Sequence, residues 1–215
     1  MAIVSQNLSN GTVPATKGTL YTGVSGKVTL VKSIIFHNTN STVETLIVYL
    51  KDASGSSKVI AQKDLEENAT FTLHLKSPFH LEFNDLLEAE TTTTLVVNYW
   101  VSGVEIDSPV TGVIPKHLAD GQVSNTLGDI YTSPALTTTY ITTMVFCNSA
   151  GTGDGTFLKI YLNDGSDLLL LYVDLKPDEP FYWDTPFILD AGDKIRAEAE
   201  NASEIDYWID GMQEA

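Results

Sequence analysis

Apolar and polar residues alternate along this chain in short runs with a period of two, the spacing of a strand with one buried face. Leu46, Val48 and Leu50 form one such row, and Leu158, Ile160 and Leu162 repeat it farther on. In the first half the runs predict strands near residues 20–22, 28–38, 45–51, 58–63, 70–75, 79–83, 86–90 and 95–106. Turn-forming stretches separate them, as at residues 52–57 (DASGSS) and 163–167 (NDGSD). Helical periodicity is confined to a turn at residues 64–68 (DLEEN). The longest apolar run, residues 168–173, is too short to span a membrane and reads as a buried strand.

The runs occur twice. Shifted by about 110 residues, Thr16, Gly18, Tyr21 and Thr22 fall on Thr126, Gly128, Tyr131 and Thr132. The match continues through Thr29/Thr139, Phe36/Phe146 and Asn38/Asn148, then passes a two-residue insertion around residues 151–155. Beyond it Leu46, Tyr49 and Asp52 meet Leu158, Tyr161 and Asp164, and Asp64, Leu65 and Phe71 meet Asp174, Leu175 and Phe181. Pro78, Phe79, Leu81, Asp85 and Ala89 meet Pro186, Phe187, Leu189, Asp193 and Ala197, and Tyr99, Trp100 and Gly103 close on Tyr207, Trp208 and Gly211. The chain therefore reads as an all-β tandem duplication of two β-sandwich domains, each of seven or eight strands. Periodicity leaves jelly-roll and immunoglobulin-like topologies both open. The expected boundaries are an N-terminal arm at residues 1–15, domains at 16–106 and 122–215, and a linker at 107–121 whose Pro109, Gly112 and Pro115 interrupt any strand.

Charge divides the halves. The net charge is −16, with 10 acidic residues against 7 lysines in residues 1–106 and 18 against 5 lysines and arginine in residues 107–215. This acidity argues against a nucleic-acid partner, and no span argues for a membrane. The start of the chain has neither a basic cluster nor an apolar core, and Cys147 is the single cysteine, so synthesis in a reducing cytosol is expected.

No set of residues forms a catalytic pattern, and neither a cofactor nor a metal is expected. His37, His74, His80 and His117 lack zinc-type spacing, and Cys147 follows an apolar run with no neighbouring base in sequence. Residues 163–167 carry oxygen ligands and a glycine without the EF-hand spacing, so a hairpin turn is the simpler reading; Asp154 and Gly155 offer a second weak calcium reading. The informative aromatics are Tyr99-Trp100 and Tyr207-Trp208. Neighbours on a strand face opposite ways, so one of each pair is core and the other meets an interface or a sugar ring; all four are interface candidates.

Residues 34–39 (IIFHNT) after Leu20-Tyr21-Thr22, residues 187–197 (FILDAGDKIRA), and the closing Tyr207-Trp208-Ile209-Asp210-Gly211 resemble small β-sandwich modules of tailed-bacteriophage virions. The first copy departs from that pattern at Phe83-Asn84-Asp85, where a glycine-containing turn is expected. The resemblance implies a non-enzymatic virion protein, either a capsid-decoration (cement) protein or a neck or tail accessory, made in the host cytoplasm. It implies major capsid or neck and tail proteins as partners, and self-association into a homo-oligomer, with a trimer favoured. The alternative is a carbohydrate-binding module for host recognition.

Overall fold

The computed structural model describes residues 6–107, 114–150, 155–177 and 179–214, with the side chains of residues 74–77 and 114 left aside. It forms two compact units, Met1–Ser57 with Ala61–Val110, and Lys58–Ile60 with Thr111–Ala215. All regular structure among these residues is strand. The first copy holds β1 (Gln6–Thr12), β2 (Gly18–Thr22), β3 (Lys27–Asn38), β4 (Glu44–Lys51), β5 (Lys58–Leu65), β6 (Thr70–Leu81), β7 (Leu86–Thr91) and β8 (Val97–Asp107). The second holds β9 (Ile114–Gln122), β10 (Gly128–Thr132), β11 (Thr138–Asn148), β12 (Thr156–Asn163), β13 (Asp167–Leu175), β14 (Pro180–Trp183), β15 (Phe187–Leu189), β16 (Lys194–Ala199) and β17 (Ile205–Glu214).

Strand order decides the topology that periodicity left open. The first copy forms sheets β1-β8-β3-β6 and β2-β7-β4-β5, and the second forms β9-β17-β11-β14 and β10-β16-β12-β13, with β15 also on β11. First pairs with last, second with seventh, third with sixth and fourth with fifth: a long hairpin folded over on itself, which is a jelly roll. Side chains fill each interior. Phe36, Leu46, Val48, Leu50, Leu81 and Leu87 are buried in the first copy, and Ile141, Met144, Phe146, Leu158, Ile160, Ile195 and Ile209 in the second.

The expected arm and linker need correction. Residues 6–12 of the arm are β1, and residues 114–121 of the linker belong to β9. These edge strands show no clear alternation in sequence, but each sets a leucine against a glycine of the neighbouring strand. A Cβ on Gly103 would stand 2.6 Å from Leu8 Cδ1, and one on Gly211 would stand 2.6 Å from Leu118 Cδ1. Both pairings shift register at that leucine, between Asn7 and Ser9 of β1 against β8, and between His117 and Ala119 of β9 against β17. The next anchor also repeats: Val13 N–H donates to the Val97 carbonyl at 2.8 Å, and Val123 N–H to the Ile205 carbonyl at 2.9 Å. Pro115 is tolerated because β9 is an edge strand. The two strands expected at residues 70–75 and 79–83 are the single β6 in the first copy. Their counterparts in the second copy are the separate β14 and β15.

The copies also agree at the residues that close their turns. Buried Asn38 donates from Nδ2 to the Leu65 carbonyl at 2.9 Å, and Asn148 donates to the Leu175 carbonyl at 3.1 Å. Each amide oxygen receives the N–H two residues on, from Asn40 and Ala150. At the departure noted in the first copy, Asn84 takes φ of 68° where Gly192 takes 90°. Asparagine is among the few residues that enter this left-handed region at modest cost, so the turn survives the loss of glycine.

Candidate functional site: the aromatic faces of β8 and β17

Tyr99-Trp100 and Tyr207-Trp208 lie on β8 and β17, central strands of equivalent sheets, so each pair straddles its sheet. The tyrosines turn inward. The Tyr99 hydroxyl is 3.2 Å from Ser9 Oγ, and its ring packs on Gly11, where a Cβ would stand 3.3 Å away. Tyr207 is buried among Ile130, Phe146 and Ile209 and donates to the Ile130 carbonyl. Its ring occupies the space over Gly121, the counterpart of Gly11, and burial pushes its hydroxyl pKa upward, with the nearby Asp120 carboxylate adding to the shift.

The tryptophans differ. Trp100 is 47 % exposed and lies beside Ile35, 40 % exposed, in the same cross-strand row. Asn10 on β1 and Thr72 on β6 continue that row across the sheet. Asn98 with His37 flanks it on one side, and Ser102 with Ser33 on the other. The positions named here are thus polar and uncharged, with an aromatic and an aliphatic side chain at their centre.

Trp208 is fully buried, with Val145 beside it and Asp120 across from it. Its indole N–H donates to Asp210 Oδ1 at 2.8 Å, and its ring stacks on the His117 imidazole at a centroid distance of 3.7 Å. His117 Nε2 is 3.1 Å from Asp120 Oδ1, and Nδ1 is 3.4 Å from Asp210 Oδ1, an ion-pair distance without hydrogen-bond alignment. Burial by itself favours the neutral imidazole. The hydrogen bond to Asp120 and the two carboxylate charges outweigh it, and the pKa rises to about 9. At neutral pH this is an imidazolium held between two buried carboxylates, which compensates charges that would otherwise be costly to bury. Asp206, also buried on this face, accepts the Gln122 amide and the Val59 N–H within the same unit.

Of the four interface candidates, Trp100 is thus exposed and Tyr99 half-buried, while Tyr207 and Trp208 lie inside. Sequence could not separate the tryptophans, because their local motifs match; the difference lies in what crosses them, Asn7 and Asn10 on β1 against His117 and Asp120 on β9. That exchange can be read in the aligned repeats once β1 and β9 are included. The remaining residues singled out are placed as follows. His37 Nδ1 is 3.0 Å from Thr70 Oγ1, and His80 and Cys147 are buried. His74's side chain and Asp154 lie outside the described residues. The 163–167 loop is a hairpin turn in which Asn163 Nδ2 and Arg196 Nη1 each reach Asp167 at 2.6 Å, while Gly165, at φ 118°, donates back to Asn163. The oxygens of Asp167 are therefore engaged by side-chain donors, which hold its pKa low, first through Asn163 and then through Arg196.

No family model and no curated protein matches the chain. Among solved structures it is similar to the STIV MCP at TM-score 0.42 and 10 % identity, covering 99 % of this chain and 97 % of that one. It is similar to the major capsid protein P2 of bacteriophage PM2 at the same TM-score, identity and coverage. PNGase F, a glycosylasparaginase from Flavobacterium meningosepticum, aligns at TM-score 0.41 and 11 % identity, covering 99 % of this chain and 95 % of that one.

Proposed function

We propose that the chain is a non-enzymatic structural part of a virus particle, serving as a capsid-decoration protein or a neck or tail accessory of a tailed phage. The observation that carries this reading is the pairing of two side-chain-filled jelly rolls with large apolar groups left at the surface. Trp100 and Ile35 stand on one sheet face, and Leu168, Leu169 and Tyr172 on the edge strand β13. Large apolar groups left exposed in this way support a surface that is covered in an assembly. The sequence resemblance to phage virion modules supports the same conclusion. Antibody raised against the chain should label intact particles purified from its source, and microscopy at side-chain resolution should find density for both jelly rolls on the shell or tail. Particles that contain no copy of the chain would exclude the reading.

One observation favours a second reading. Trp100, ringed by Asn10, Asn98, His37 and Thr72, offers an aromatic platform with hydrogen-bonding neighbours, as a sugar ring requires. A carbohydrate-binding protein would retain glycans on an array and lose them on Trp100→Ala, with its melting temperature unchanged.

A further inference from the structure

The second unit contains a solved example of how the outer face around its buried tryptophan is covered. Its segment Lys58–Ile60, the start of β5, is buried there. Val59 N–H donates to Asp206 Oδ2 at 2.9 Å, the Tyr182 hydroxyl donates to the Ile60 carbonyl at 3.0 Å, and Lys58 Nζ lies 4.0 Å from Asp120 Oδ2. Those contacts reach β17, β14 and β9, and Trp208, Val145 and Cys147 beneath are sealed from solvent.

The internal repeat provides both halves of this contact a second time, and in the chain by itself both are exposed. Leu65 and Leu175 are equivalent, since their carbonyls receive Asn38 and Asn148, so the counterpart of Lys58–Ile60 is residues 168–170. Leu168 is 63 % and Leu169 49 % exposed at the start of β13, an edge strand. A leucine-rich edge left bare invites pairing with another chain. The counterpart of the covered face is the outer face of β1-β8-β3-β6, where Trp100 replaces Trp208 and Ile35 replaces Val145.

We propose that copies of this chain associate head to tail, with residues 168–170 of one copy seated over Trp100 and Ile35 of the next. The two surfaces have changed together. Where the covered contact sets Lys58 near Asp120, the exposed halves have Leu168 and Asn10, so the cation and its carboxylate are lost as a pair. Asn98 stands in the place of Asp206 and keeps a side-chain oxygen for an incoming N–H; Thr72 stands in the place of Tyr182 and keeps a hydroxyl for a carbonyl. Charge favours the same arrangement. Residues 107–215 carry 18 acidic against 5 basic residues, so two such halves repel, whereas the residues named around Trp100 include no carboxylate and can receive one. Because the contact joins two different surfaces, it builds a ring or an open chain instead of a twofold dimer.

Sedimentation velocity on the full chain over a rising concentration series tests this. Species growing beyond dimer are expected, and Trp100→Ala or Leu169→Asp should each weaken association at least about tenfold. Ile35→Lys provides a second variant of the face, and unchanged melting curves show that each variant is folded. The deciding measurement mixes the two defects. A Trp100→Ala chain still offers β13 and a Leu169→Asp chain still offers the face, so the mixture should form a one-to-one dimer that grows no further. A monomer at millimolar concentration, assembly unaffected by these substitutions, or a mixture with no dimer overturns the proposal. So does a monomeric wild type whose Trp100 binds a glycan.

Discussion

Asn84 and Gly192 occupy the same left-handed turn position, yet they predict opposite tolerance. Asn84→Gly should leave the melting temperature nearly unchanged, whereas Gly192→Val, a β-branched residue forced to positive φ, should cost about 1–3 kcal/mol. Gly211 is stricter for a different reason. A Cβ there would stand 2.3 Å from the Tyr140 carbonyl oxygen, so Gly211→Ala must displace β17 from β11 and should destabilise more than Gly192→Val in chemical denaturation. His117 gives the chain a pH signature. Its folded pKa of about 9 lies above the unfolded value near 6.5, so its contribution is complete below pH 6.5 and is lost as pH rises through 9. The loss approaches about 3 kcal/mol at most. Melting temperature should therefore fall across that window, and His117→Gln should flatten the fall while lowering stability at pH 6, because the imidazolium charge beside Asp120 and Asp210 is lost.

Among elements, the core strands were legible and the edges were not. Strands β3, β4, β7 and β8 stand within a residue or two of the runs that alternation marks, since each buries every second side chain in a filled interior. Strands β1 and β9 escaped because they bury little, and asparagine, glycine and proline in them read as loop. Their signal was instead in the duplication: Leu8/Leu118, Gly11/Gly121 and Val13/Val123 continue the repeat upstream of Thr16 and Thr126. Leu8→Ala should accordingly cost about 2 kcal/mol or more despite lying in apparent loop sequence, as measured by urea denaturation. The candidate site was half legible. The Tyr-Trp pairs mark β8 and β17, but which tryptophan stays at the surface depends on residues that only pairing brings across from it.

For the whole molecule, charge sets which half is cheaper to desolvate. Residues 1–106 carry 10 acidic against 7 basic residues and residues 107–215 the remaining excess, so under the proposed function the first half would meet a protein shell at lower electrostatic cost. A chain ending at Asp107 should still bind particles with weak salt dependence; binding that follows the second half and collapses in high salt would reverse the orientation. The His117–Asp120–Asp210 cluster has a further consequence, for how such a chain sorts itself while folding. Two copies of one jelly roll, synthesised in series, offer β1 and β9 to equivalent vacant slots beside β8 and β17, with the same leucine, glycine and valine anchors. Shape alone cannot tell them apart. A β1 placed on β17 would set Asn7 against Asp210 and bring no imidazolium, so that buried carboxylate would keep the Trp208 N–H but lose the His117 charge, at a cost of several kcal/mol. The ion cluster thus makes β9, and not β1, the better electrostatic match for β17.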